Sequence, residues 1–348
     1  MKTKIKSNLL LILGVMSWAT GSVYISASIS LIILLCFARI KKSSLLLFIV
    51  MTILLTVNNF FAVGPWNYFE YIQMLGLLFV FMFFRVINSE IGNSIYRGFN
   101  LGSYLITLGF ILLIAQSNPT QEDYRLFSVS GTYNYTSFYI YFGFIIAPYV
   151  LEKRLVFRIL DFLIFIMLTY FFATRSILVL GTLSYFILNL SIKNKSLAVV
   201  NIILLIFSLS FIVSPDVYID LFYSITNFST DTSNIYRLGM FHLSFESVWQ
   251  NEFGWGIGNS ATILSNSGFP FPHAHNTLAN WLLDFGLAGF LLYFSFIVYI
   301  IKLLFSNKSK VAFIVTLFLI AYSNIDALQY NILVSMTTII TAKSISKI

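Results

Sequence analysis

Charge is what this sequence has least of. Only 10% of its 348 residues are Asp, Glu, Lys or Arg, against roughly 25% in an ordinary soluble domain. That shortage excludes a conventional water-exposed surface. Cysteine is nearly absent: the lone Cys36 lies inside an apolar run, which excludes a disulfide framework and a thiolate metal site. Histidine is confined to His242, His273 and His275. The last two are two positions apart, a spacing that does not share a helix face, and no third ligand is near, so no zinc site is expected. No internal repeat or low-complexity tract interrupts the chain.

What fills the sequence instead is apolar: 58% of residues are hydrophobic and 18% aromatic. Runs long enough to cross a bilayer recur from end to end, the mark of an all-α polytopic membrane protein. Twelve spans are expected, at roughly 7–20, 23–38, 44–62, 69–87, 100–116, 135–151, 156–173, 176–192, 197–214, 277–305, 311–325 and 327–342. They form a single integral membrane domain over 1–348, with nine spans in 1–214, one large external loop over 215–274, and three spans in 275–348. Lys2, Lys4 and Lys6 ahead of the first run resemble a signal peptide, but apolar character continues to Ala38, which favours a retained span.

The net charge of +8 is explained by where the cations fall and implies no nucleic acid. With both termini cytoplasmic, the inner segments take all of the 21 Lys and Arg except Arg125, Arg175 and Arg237, leaving 18 inside. Fusing the first two spans would put 15 of the 21 outside, against the positive-inside rule.

The polar centre of the chain is Gly268–Phe290, GFPFPHAHNTLANWLLDFGLAGF. Pro270 and Pro272 predict an extended approach. A turn over Pro272–Ala274 and a helix starting near His275 or Asn276 should follow, with Asn276 as the candidate N-cap. Free N–H groups and the positive end of the helix dipole favour a neutral imidazole there, the form a general base needs. Read as a pattern, the stretch is His275-Asn276, nine residues, Gly286, two residues, Gly289. It resembles the signature of the bacterial O-antigen ligase and O-antigen or capsule polymerase (Wzy-type) superfamily.

Two outer arginines lie in suggestive places. Arg175, in Ala-Thr-Arg-Ser, sits at a tight turn between two spans. It reads either as an interfacial anchor or as an anion contact at the start of the next helix. Arg237 follows the capping cluster Asp231–Asn234, in what is expected to be the first turn of an amphipathic helix lying against the membrane. Leu238, Phe241, Phe245, Val248 and Trp249 form its apolar stripe. A cation there opposes the helix dipole unless an anion binds, or unless Glu246, Asp231 or another loop acid pairs with it. The outer loop is otherwise acidic, so any phosphate site must be local. His242 reads as ordinary packing, and Asp161 as a pair with Arg158 at i−3. Asp284 lies about 14 Å from His275 along an ideal helix and cannot orient it. Tyr133, Tyr135, Trp249 and Trp255 suit either sugar stacking or the membrane interface. The roles of Asp284 and Asp326 stay open.

The arginine–small-residue turn, the arginine opening a loop helix, the Gly254–Gly258 turn and the His-Asn signature occur in the superfamily's order, over about residues 170–300. The resemblance implies a GT-C-like, metal- and cofactor-independent glycosyltransferase of the bacterial inner membrane, working on its outer face. Its donor would be a glycan on undecaprenyl pyrophosphate, with a flippase and a chain-length regulator as partners. It implies that His275 is the catalytic base and that Arg175 and Arg237 hold the pyrophosphate. His273, Asn276, Gly286 and Gly289 would support them. Polymerase is the first reading, and ligase onto lipid A core the alternative. A lipid-linked glycan flippase is the rival of another class, which should show mid-membrane charges or repeats.

Overall fold

The computed structural model describes residues 2–17, 19, 41–83, 89–116, 133–172, 174–189, 232–271, 273–306, 309–324, 339, 341 and 343. The spans expected at 23–38, 197–214 and 327–342 fall wholly or mostly outside these residues, as do Arg125, Asp231 and Asp326. Among the described residues every regular element is helical. In chain order they are α1 (Lys2–Ser17), α2 (Lys42–Phe61), α3 (Tyr68–Phe83), α4 (Ser89–Gln116) and α5 (Tyr133–Ile140), then a π-helical turn (Tyr141–Ile146) leading into α6 (Ala147–Val150). There follow α7 (Leu155–Phe171), α8 (Arg175–Asn189), α9 (Thr232–Gln250), α10 (Ser260–Asn266), α11 (Thr277–Phe285), α12 (Leu287–Ser306) and α13 (Lys310–Ser323).

Two described helices, Lys42–Phe61 and Glu90–Ala115, are long and apolar enough to cross a membrane. Twenty residues at about 1.5 Å each give α2 a length near 30 Å. Its apolar side chains point outward: Leu46, Ile53 and Phe60 are all more than half exposed, a surface suited to lipid rather than water. In α4 the outward residues Leu101, Leu105, Leu108 and Leu112 repeat at helical spacing, while Tyr96, Phe99, Ser103 and Phe110 are buried.

The element at the centre is the run Tyr133–Val150. It was expected to be one regular span over 135–151. It widens instead into the π-turn, whose residues are all buried. The widening has visible causes. Gly143 packs so closely on α4 that a Cβ would lie 1.9 Å from Ser103 Oγ. Its carbonyl accepts a 2.8 Å bond from Asn100 Nδ2, which satisfies a backbone group that the irregular turn exposes. Tyr141 stacks on Phe318 of α13 with ring centres 3.6 Å apart.

Three other expectations are corrected by the packing. Asp161 does not pair with Arg158. Its carboxylate takes a 2.9 Å salt bridge from Lys153 and a hydrogen bond from Tyr104, while Arg158 lies over the Tyr149 ring, 4.4 Å from its centre. Tyr135 is neither interfacial nor a sugar platform, because it is buried in the core. The span expected over 277–305 is broken at Gly286, where φ is +57°.

Candidate functional site

The site is built at the start of α11. Asn276 has extended backbone (φ −153°, ψ 127°) and its Oδ1 accepts from Ala279 N at 3.0 Å. It is the helix cap that the sequence predicts. Its Nδ2 donates to Asn324 O, 3.3 Å away at the end of α13, and Asn324 Oδ1 accepts from Tyr293 Oη of α12 at 3.3 Å. The cap thus also ties the loop to two further helices.

His275 stands immediately before the cap in the left-handed region, with φ +49°. A bulky residue held there costs about 1–3 kcal/mol and persists only where its surroundings impose it. Asn280, which sequence reasoning passed over, is bonded to the residues on both sides of His275. Its side chain is fully buried. Its Oδ1 accepts from Ala274 N at 3.0 Å and its Nδ2 donates to Asn276 O at 2.8 Å. The available signal was a polar residue in the middle of a largely apolar helix.

Aromatic contacts join this turn to α9. The His273 and His275 ring centres are 4.4 Å apart, and Phe271 meets His275 edge-on at 5.1 Å. Phe271 in turn meets Tyr236 at 6.0 Å, and Tyr236 is the chain neighbour of Arg237. Arg237 is half-buried, and its Nε is enclosed with no hydrogen-bond partner among the described residues. Glu246, one proposed partner, is 3.1 Å from His242 Nε2 instead. His242 is therefore an exposed member of a surface pair, not a packing residue.

Helix α9 differs from expectation in two ways. It begins at Thr232, so Arg237 lies in the second turn rather than the first. The free N–H groups belong to the first four residues and do not include its own. The face packed inward carries Met240, Ser244 and Ser247, spaced at i, i+4 and i+7. Much of the apolar stripe is left outside: Leu238, Phe245 and Val248 are half-exposed and Trp249 is 91% exposed.

Arg175 opens α8, and Thr174 before it is buried with its Oγ1 2.7 Å from Ser137 Oγ. The next residue on the central helix, Phe138, meets Tyr322 with ring centres 4.8 Å apart. Since Tyr322 is two residues from Asn324, the start of α8 and the end of α13 lie at the same level of the bundle. Asn276 is bonded at that level too. The backbone of Arg175 is therefore at the same end of the bundle as the histidine turn, although no described contact joins the two directly.

The signature glycines have a packing role. Leu287 N donates to Glu252 O at 2.9 Å, while Trp255 N and Gly256 N donate to Leu283 O and Asp284 O at 2.8 and 3.0 Å. The last two bonds use carbonyls at the end of α11 that a helix leaves free. A Cβ on Gly286 would lie 2.0 Å from Glu252 O. Asp284 Oδ1 accepts from Ser260 N at 3.3 Å, which answers its open role: it secures the loop between α9 and α10. Asn58 and Asn59 at the end of α2 hold the same loop, through Phe253 O and Ile257 N at 3.0 and 2.9 Å.

Residues 160–294 match the family model described as O-antigen ligase. The matched stretch runs from α7 into α12 and contains Arg175, Arg237, His273, His275, Asn276, Gly286 and Gly289. It supports the O-antigen ligase and polymerase superfamily for this chain. That superfamily comprises glycosyltransferase-like enzymes of polysaccharide biosynthesis that reside in membranes and act on lipid-linked glycans. No curated protein matches the chain.

Proposed function

We propose that the protein is a polymerase that joins repeat units carried on undecaprenyl pyrophosphate, at the outer face of the inner membrane. The observation that carries glycan transfer, which polymerase and ligase share, is His275, held in a left-handed turn ahead of a capped helix, inside the segment that matches the family. In the reaction, the acceptor hydroxyl oxygen attacks the anomeric carbon of the donor glycan. The bond from that carbon to the pyrophosphate oxygen breaks, and undecaprenyl pyrophosphate leaves with the electron pair. His275 takes the hydroxyl proton. Arg237, with an enclosed Nε and no carboxylate partner among the described residues, binds the leaving pyrophosphate together with Arg175. A flippase would deliver the donor and a chain-length regulator would end elongation.

The outward stripe of α9 supports the placement at a membrane surface. Phe253, just beyond α9, meets Phe61 at the end of α2 with ring centres 5.4 Å apart. This brings the exposed Trp249 end of α9 near the end of a membrane-length helix. The cation distribution supports the sidedness. A reporter fused after Ser260 should read external and one after Lys195 cytoplasmic; the reverse at either position would put the site on the wrong face.

The test of function is elongation of a purified lipid-linked repeat unit by the purified enzyme in lipid discs. A ladder of products is expected. Transfer only to a lipid A core acceptor would make the protein a ligase, and movement of the lipid across vesicles without transfer would make it a flippase. In the same assay Arg237→Lys and Arg175→Lys should each lose toward about 10²-fold in turnover, because lysine keeps the charge but lacks the planar fork. Normal turnover in both variants would remove the arginines from the pyrophosphate site.

A further inference from the structure

We infer that Asn280 is a positioning residue for His275: its amide holds the backbone on both sides of the histidine and so sets where the imidazole stands. The inference rests on the base role proposed above. The geometry is a bracket. On one side of His275, Ala274 N donates to Asn280 Oδ1 at 3.0 Å. On the other, Asn276 O accepts from Asn280 Nδ2 at 2.8 Å and from Asn280 N at 3.1 Å.

Both halves of the amide are used, one as acceptor and one as donor, and no other side chain of similar size offers both in one plane. Asn280 lies four residues after the cap, so its side chain runs back over the first turn, the direction in which helical side chains point. Full burial keeps water from substituting for either bond.

The bracket also accounts for the unusual backbone. His275 at φ +49° adopts a conformation that glycine and asparagine take most readily and that is uncommon for other residues, histidine being among the more tolerant of them. Fixing Ala274 N and Asn276 O leaves the residue between them little choice of conformation. The ring is consequently held between His273 and Phe271. Without the bracket the turn can relax to an ordinary φ, and the imidazole moves relative to the acceptor hydroxyl. A displacement of about 1 Å costs on the order of 10²-fold in rate.

The experiment compares Asn280→Ala and Asn280→Asp with the unaltered protein, each purified in lipid discs. Asn280→Asp keeps the volume and the acceptor for Ala274 N but replaces the donor facing Asn276 O by a second acceptor. Turnover, donor affinity and thermal midpoint are measured for each. The expected result is a loss of about 10²-fold in turnover with donor affinity nearly unchanged and the midpoint lowered only as far as the lost buried hydrogen bonds require. The same substitutions in a His275→Asn background should then cost nothing further in residual transfer, because the group being positioned is gone.

Normal turnover in both variants would overturn the inference. So would parallel loss of turnover, donor affinity and midpoint, since that pattern describes a residue that only holds the fold. An active His275→Asn protein would instead overturn the base role itself. The two failures are therefore distinguishable.

Discussion

His275→Ala abolishes glycan transfer and leaves the lipid-linked donor bound: this is the expected result with the largest effect on activity. Loss of a general base commonly costs about 10²–10⁴ in rate. The left-handed backbone of His275 makes the choice of control important. Alanine is uncomfortable at φ +49°, so His275→Ala alone could disturb the Asn276 cap. Asparagine tolerates that conformation and cannot act as a base. His275→Asn should therefore be as inactive as His275→Ala while keeping the thermal midpoint of the parent. His273→Ala should be milder, because His273 lies outside the Asn280 bracket. The measurement is product formation from a purified lipid-linked repeat unit, with donor binding recorded on the same preparations. Elongation at the parental rate by His275→Asn would take this histidine out of the mechanism.

Gly289→Ala should have the largest effect on folding. A Cβ at this position would lie 1.8 Å from Trp281 O and 2.4 Å from its carbonyl carbon. These are main-chain atoms of α11 and cannot swing aside as a side chain could. Either α12 shifts away from α11 or α11 unwinds, and both disturb the turn that holds Glu252 through Gly256. Overpacking usually costs about 1–3 kcal/mol, and a backbone clash this close belongs at or above the top of that range. The comparison is Gly76→Ala on α3, where nothing lies within 4 Å of the added carbon. Removing a mid-helix glycine there should be neutral or stabilise by about 0.5–1 kcal/mol. Thermal midpoints of the two purified variants give the answer. A Gly289→Ala protein as stable as Gly76→Ala would mean that α11 and α12 are not packed this closely.

The parts of the site that could be read from sequence are those governed by local rules. Asn276 was legible as a cap because capping chemistry spans only three residues. The apolar run of α2 was legible because bilayer thickness sets its length. What was not legible depends on groups far apart in the chain. The break at Gly286 has one local sign, the glycine itself, and an isolated glycine in an apolar run can equally sit inside a helix; the packing of Glu252 and Gly254 against it is what the sequence does not show. Asp161 has Arg158 one turn away, yet Lys153 and Tyr104 reach it first. The stripe on α9 was visible as a pattern, but helical periodicity does not say which face packs. Met240, Ser244 and Ser247 lie on the buried side, Met240 packing with Ala279 and Leu283 of α11. His275 was marked by its motif, whereas its left-handed backbone comes from Asn280 and could not be foreseen.

The break at Gly286 sets a height. Helix α12 has 20 residues, about 30 Å of helix at about 1.5 Å each, and starts afresh after the break. The nine residues of α11 therefore need not be submerged, and a kinked chain can lay them beside the headgroups. A pyrophosphate anchored by a polyprenyl tail is confined to that same shallow layer. With the sidedness proposed above, donor and base meet by sliding in the plane of the membrane. In the proposed reaction the acceptor sugar would arrive from the water above, and the lipid would not have to be drawn out of the bilayer.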